Sequence, residues 1–181
     1  MIKTKKIAFT GIFIALVMAV GYSLVYVPNV ELVTLIIFLS GYLMGTKYGL
    51  IVGIIGEFLF SALNPFGSGL LFPPMLISQV IAMALVGFAG GMLKKWIPSE
   101  KFSKNYILIF GFTGFLITLI YDILVSAAYP VSAGFGFTET LGLILSGIVF
   151  SVMHIAMNVM VFSILLPVIV IRLNKSGLFN D

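Results

Sequence analysis

Apolar residues fall into six long runs, separated by short stretches that hold most of the charged side chains. The runs cover residues 7–27, 30–44, 48–63, 75–93, 106–129 and 141–171. A membrane-crossing helix needs about 20 apolar residues, so this pattern predicts an all-α membrane protein with six transmembrane helices. The second and third runs are short for a bilayer about 30 Å thick, which predicts helices that are tilted or shielded by their neighbours. We expect residues 1–181 to form a single integral membrane domain.

Composition excludes a soluble protein. Hydrophobic residues make up 61% of the 181 positions and charged residues only 9%, whereas soluble domains carry about 25% charged residues. Six crossings leave no room for a soluble catalytic domain. The chain has no cysteine and one histidine, which excludes disulfides, thiolate chemistry and a multi-histidine metal centre. We therefore expect no metal and no cofactor bound to this chain.

The positions of the basic residues indicate how the chain is oriented in the membrane. Threading six crossings puts all ten on one side, and the connections on the other side contain no Lys or Arg. The ten are Lys3, Lys5, Lys6, Lys47, Lys94, Lys95, Lys101, Lys104, Arg172 and Lys175. By the positive-inside rule, both termini are predicted to be cytoplasmic. The net charge of +4 is thereby explained by topology and implies no nucleic-acid partner.

Two ionisable residues lie within the outer halves of the last two predicted helices. Asp122 is on helix five and His154 is on helix six, where a titratable group is costly unless it has a role. Each belongs to a polar stripe at helical spacing: Thr118, Asp122, Ser126 and Tyr129 on one helix, and Gly147, Ser151, His154 and Asn158 on the other. Consecutive antiparallel helices place such stripes face to face. The pattern leaves two interpretations open, a pair that joins the helices or a ligand contact.

Further polar groups favour a pocket that the outer loops cap. Gln79 lies in the outer third of helix four, and Glu31 and Glu139 stand at the outer ends. Many aromatic residues flank the same openings, while Lys and Arg are absent there. Such a lining suits a small, flat, neutral or cationic ring compound better than a polyanion. Glu57, near the middle of helix three, is equally consistent with a structural and a functional role.

The first helix carries a stripe of small residues. Gly11, Ala15 and Ala19 recur every four positions, which allows another helix to approach closely. Packing within the chain and docking of a partner are equally compatible with this stripe. The sequence has no Walker A loop, so energy from a nucleotide would have to come from a partner.

These features together resemble the S components of energy-coupling factor (ECF) vitamin transporters. The resemblance rests on the six-helix chain, the opening segment KKIAFTGIFIALVMA with Ala15 and Ala19, and the VPNVE first outer loop. It implies a vitamin-binding subunit whose first helix docks on a membrane scaffold subunit that carries two cytoplasmic ATPases. It also implies that Asn29, Gln79, Asp122, His154 and Asn158 line the pocket. The chain itself would be no enzyme and would reside in a prokaryotic plasma membrane.

Two other functions remain open. A self-contained small permease or channel would also place polar groups in the membrane. An intramembrane protease of the CAAX type is a more remote alternative, suggested by the His154 and Asn158 spacing. That family also needs a paired-glutamate motif and a second histidine, which this chain lacks.

Overall fold

The computed structural model describes residues 2–27, 32–65, 67–97 and 105–176. Seven α-helices and one short 3-10 helix over Gly69–Leu71 account for most of these residues. The α-helices are α1 (Lys3–Leu24), α2 (Val33–Met44), α3 (Thr46–Ala62), α4 (Pro73–Trp96), α5 (Asn105–Ser132), α6 (Phe137–Ser146) and α7 (Ile148–Lys175). The predicted all-α class is confirmed.

The structure divides the sixth apolar run into two helices. Helix α6 ends at Ser146 and α7 begins at Ile148, with Gly147 between them. The amide of Gly147 bonds to the carbonyl of Ile144, three residues back, and so leaves the regular helical pattern. Glycine is a poor helix former, so a break at this position costs little. The apolar run alone predicted a single continuous helix here.

Helix α5 continues through Pro130, where the sequence predicted an outer loop. Its end is a Schellman motif, in which the amide of Phe135 bonds to the carbonyl of Pro130 and the amide of Gly134 to that of Val131. Gly134 has a φ of 76°, which glycine adopts without strain. Pro130 lies in the last turn of the helix, and because it has no N–H, one helical hydrogen bond is missing there.

Glycines let α2, α3 and α4 pack against one another at backbone distance. A Cβ on Gly41 of α2 would collide with the carbonyl oxygen of Gly87 on α4. A Cβ on Gly87 would in turn collide with the carbonyl oxygen of Gly49 on α3. Without a driving force from water inside a membrane, such close packing is a main source of helix association.

Helix α2 is shielded, which is one of the two alternatives that its shortness predicted. All of its residues except Ile36 are buried. Edge-on ring contacts join it to α5 and α7. The ring centroids of Phe38 and Phe162 are 5.1 Å apart, and those of Tyr42 and Phe110 are 6.3 Å apart. A helix covered on all sides need not match the bilayer by its own length.

In the part of the chain that the structure describes, four helices are long and apolar enough to cross a membrane: α1, α4, α5 and α7. Among the described residues, α2 and α6 are apolar but shorter. The structure thus supports a multi-pass membrane protein, while six crossings and the cytoplasmic termini remain predictions. Eight described basic residues lie together at one end of the bundle, which we call the basic end: Lys3, Lys5, Lys6, Lys47, Lys94, Lys95, Arg172 and Lys175. We call the opposite end the loop end.

Candidate functional site

Helices α5 and α7 meet at the inner members of the two polar stripes that the sequence predicted, whereas Ser126 and Tyr129 are exposed. Nδ1 of His154 lies 2.8 Å from Oδ1 of Asp122, and both side chains are mostly buried, at 15% and 12% exposure. The Tyr121 ring stands edge-on to the imidazole at 5.9 Å. The first of the two interpretations, a pair that joins the helices, is therefore present in the structure.

One turn closer to the basic end, the same interface holds buried polar atoms that lack partners. Thr118 and Asn158 are each 1% exposed. Within the described residues, Oγ1 of Thr118, both amide atoms of Asn158 and Oδ2 of Asp122 have no hydrogen-bond partner. A further turn on, a Cβ at Gly114 would approach the Phe162 side chain to 2.9 Å, so the helices come close there. A buried polar group without a partner is costly, and such groups commonly mark a site that a ligand or water completes.

A cavity of about 360 Å³ opens at the loop end, between α3 and α4. Its lining consists of Phe60, Ser61, Asn64, Gly67, Ser68, Gly69, Leu71, Phe72, Met75 and Gln79. The polar members are hydroxyls and amides, and none of these lining residues is charged. The volume lies within the range of small-molecule sites.

Aromatic rings brace the walls of this cavity. Tyr22 of α1 stacks on Phe60 with 5.2 Å between ring centroids, and its hydroxyl donates to the Phe60 carbonyl at 3.0 Å. At the Phe72 wall, the ring centroid of Tyr129 lies 6.1 Å from that of Phe72 and 5.9 Å from that of Phe135. Helices α1 and α5 thereby reach a cavity that α3 and α4 form.

Glu57 is linked to the cavity through Ser61. The hydroxyl of Ser61, a lining residue, donates to Oε1 of Glu57 at 2.7 Å. Glu57 itself is 2% exposed. This hydrogen bond gives Glu57 a structural role in orienting Ser61, which the sequence left open.

The predicted site residues thus fall into two groups. Gln79 lines the cavity and Tyr129 packs behind its wall, whereas Asp122, His154 and Asn158 lie together between α5 and α7. Asn29 and Glu31 fall outside the described residues. Glu139 is exposed on the first turn of α6.

Ser61 and Asn64 are lining residues that the sequence analysis did not select. They precede Pro65 at the end of α3, where the pattern indicated only a helix exit. A serine one turn after a buried glutamate was the available signal, because Ser61 follows Glu57 by four positions.

The small-residue stripe of α1 faces away from the bundle. Gly11, Ala15 and Ala19 are exposed, while Phe13, Val17 and Gly21 on the opposite face are buried. A Cβ on Gly11 would meet nothing within 4 Å. Packing within the chain therefore does not account for the stripe in the described part of the structure.

The described residues contain no group of three or more His, Cys, Asp or Glu side chains that could hold a metal ion. Comparison with known protein families gave a match over almost the whole chain. The family model described as ECF-type riboflavin transporter, S component, matches residues 1–175. No curated protein and no solved structure matches the chain.

Proposed function

We propose a ligand from one premise, which is that this chain belongs to the family of ECF-type riboflavin transporter S components. As a member of that family it is a vitamin-specific, substrate-binding transport subunit and not an enzyme. The proposed ligand is riboflavin or a closely related neutral flavin. We further propose the plasma membrane of a prokaryote as its location.

The uncharged cavity at the loop end is the observation that carries this proposal. Riboflavin combines a flat, neutral, three-ring system with a flexible chain of hydroxyl groups. The cavity offers aromatic walls at Phe60 and Phe72 and hydrogen-bonding groups at Ser61, Asn64 and Gln79. Hydroxyls pair well with neutral amides and hydroxyls, whereas a phosphate would require a cation or several N–H donors.

The interface of α5 and α7 supplies a second set of proposed contacts. The amide of Asn158 presents a donor and an acceptor side by side, both without a described partner. One edge of the flavin ring carries N–H and C=O groups in a complementary order. Ser78, the neighbour of Gln79, and Leu124, two residues from Asp122, line the same groove between α4 and α5. This proximity supports one ligand that contacts Gln79 and the interface of Asp122 and His154.

Tyr129, Asn29 and Glu31 complete the proposed pocket. The contact of Tyr129 with Phe72 supports a role in holding the cavity wall. For Asn29 and Glu31 the support is the position of the first outer loop in the sequence, next to α1 and α2. We expect these residues to cover the bound ligand on the outer side of the pocket.

The proposed partners are a membrane scaffold subunit and two cytoplasmic ATPases of an ECF module. Membership in the family implies such a module, and the exposed stripe of Gly11, Ala15 and Ala19 supports α1 as the docking helix. In proteoliposomes, the chain alone is expected to bind ligand without concentrating it. Accumulation by the chain alone would favour the self-contained permease instead.

Flavin binding is tested by titrating the purified protein and following the quenching of flavin fluorescence. Riboflavin is expected to bind, and its phosphate ester to bind roughly tenfold more weakly or worse, a difference of about 1.4 kcal/mol. Native mass spectrometry of the freshly purified protein identifies any retained molecule independently. Equal affinity for the ester would contradict the charge argument, and a retained molecule of another class would contradict the flavin proposal.

A further inference from the structure

Two lysines contact the helix ends on either side of the turn between α2 and α3. Nζ of Lys94, on α4, donates to the carbonyl of Leu43 at 3.0 Å, in the last turn of α2. Nζ of Lys6, on α1, lies 5.4 Å from the centre of the Tyr48 ring, in the first turn of α3. Gly91 of α4 packs directly on the turn backbone at Gly45 and Thr46.

These charges have no acidic counterpart in the part of the chain that the structure describes. The described acidic residues are Glu57, Asp122 and Glu139, which all lie away from the basic end. Lys6 and Lys94 are close enough for their charges to repel each other, and both are only half-exposed. Each ammonium group has three N–H donors, so donors remain after the contacts just described. Within the described residues, the site is therefore a pair of neighbouring cations without an acidic partner.

We propose that this turn binds the phosphate of an anionic phospholipid headgroup. Its position favours a lipid over a soluble anion, because it lies where four helices end. Trp96, 79% exposed and two residues beyond Lys94, is placed as an interfacial residue at the same level. Basic pockets between helix ends on the cytoplasmic side are typical sites for phosphate headgroups. The site is independent of the proposed flavin.

The test is native mass spectrometry of the delipidated full chain with phosphatidylglycerol, phosphatidylcholine or inorganic phosphate added at equal concentrations. We expect the protein to retain phosphatidylglycerol in preference to the other two. The Lys6→Gln, Lys94→Gln double variant is expected to bind phosphatidylglycerol at least about fivefold more weakly, a difference close to 1 kcal/mol. The matched control is Lys3→Gln, Lys175→Gln, which removes the same charge from the same end. It is expected to retain phosphatidylglycerol as the unchanged protein does.

Glutamine at position 94 keeps an N–H donor for the end of α2. Should the double variant still fail to fold, Lys6→Gln alone gives the answer, because the Lys6 ammonium group donates no hydrogen bond in the described structure and contacts only the Tyr48 ring. Equal losses in variant and control would overturn the site in favour of general charge attraction. Equal retention of phosphatidylcholine would overturn it as well. Retention of inorganic phosphate as strong as that of phosphatidylglycerol would assign the site to a free anion and overturn the lipid proposal.

Discussion

The imidazole of His154 and the carboxylate of Asp122 are joined across α5 and α7 at 2.8 Å, within helices that are mostly apolar. Helix spacing places Thr118 and Asn158 one turn further in, and Gly114 and Phe162 follow at the next turn. The pair thus fixes the register in which the two helices meet. Among the described residues, Oδ2 of Asp122 and the amide of Asn158 have no hydrogen-bond partner.

Substituting Asp122 by asparagine is expected to weaken flavin binding by on the order of 1–3 kcal/mol. The amide removes the charge that orients His154 and replaces an acceptor oxygen with a donor. Isothermal titration of the purified variant measures the change. Unchanged affinity in both Asp122→Asn and His154→Ala would place the ligand away from this interface.

The same pair should also contribute to stability independently of ligand. A double-mutant cycle with Asp122→Asn and His154→Gln, measured by thermal unfolding in detergent without flavin, is expected to give a coupling of about 1 kcal/mol. Interhelical hydrogen bonds in membranes are typically of this size. A coupling near zero would show that the interaction does not stabilise the helix pair.

Gln79 and Ser78 provide a matched test of the cavity. Gln79 lines it, whereas Ser78 faces a groove on the other side of α4 and donates its hydroxyl to the Pro74 carbonyl. Gln79→Leu is expected to weaken flavin binding by about 1–2 kcal/mol through the lost hydrogen bond. Ser78→Ala should change affinity by less than about 0.5 kcal/mol. Equal effects of the two substitutions would exclude the cavity as the ligand site.

Much of the helical pattern could be predicted because the membrane demands long apolar segments. The end of α5 could not, since Pro130 indicates a break when taken alone. Gly134 and Phe135 decide the matter by completing the Schellman motif, and the Tyr129 and Phe135 rings pack across it. The break between α6 and α7 at Gly147 could not be predicted either, because apolar residues continue on both sides of the glycine.

The α5 and α7 polar interface followed from spacing, because residues four apart share a helix face. Gln79 was predicted for the pocket, but Ser61 was not, because the side of α3 that faces the cavity depends on the glycine contacts between α3 and α4. A one-dimensional pattern does not specify which side that is. It also could not tell whether the α1 stripe faces inwards or outwards.

Gly87 should be among the least replaceable residues of the bundle. A methyl group there would collide with the Gly49 carbonyl oxygen, and backbone cannot move aside as a flexible side chain can. Gly87→Ala is expected to lower the free energy of unfolding by about 3 kcal/mol. Gly142→Ala on α6 is the control, because a Cβ there would meet nothing within 4 Å. Thermal unfolding in detergent compares them, and equal melting temperatures would contradict the glycine packing.

Bulky residues on the α1 stripe are expected to separate binding from transport. Ala15 and Ala19 are exposed on the face opposite Phe13 and Val17, so Ala15→Trp or Ala19→Trp leaves the described packing intact. An indole ring there would hold a partner helix several ångströms away, because close approach depends on small residues. Flavin affinity of the purified variants should therefore stay unchanged, while uptake by cells that supply the ECF module is lost.

The control for this pair is Ile123→Trp, which puts the same ring on a membrane-facing position of α5. It is expected to leave uptake intact, because α5 is not the proposed docking helix. Co-purification of the scaffold and ATPases with each tagged variant should follow uptake, being lost only for the α1 substitutions. Loss of binding together with uptake would mean that the stripe supports the fold of this chain, and loss of uptake in Ile123→Trp would mean that the partner surface extends beyond α1.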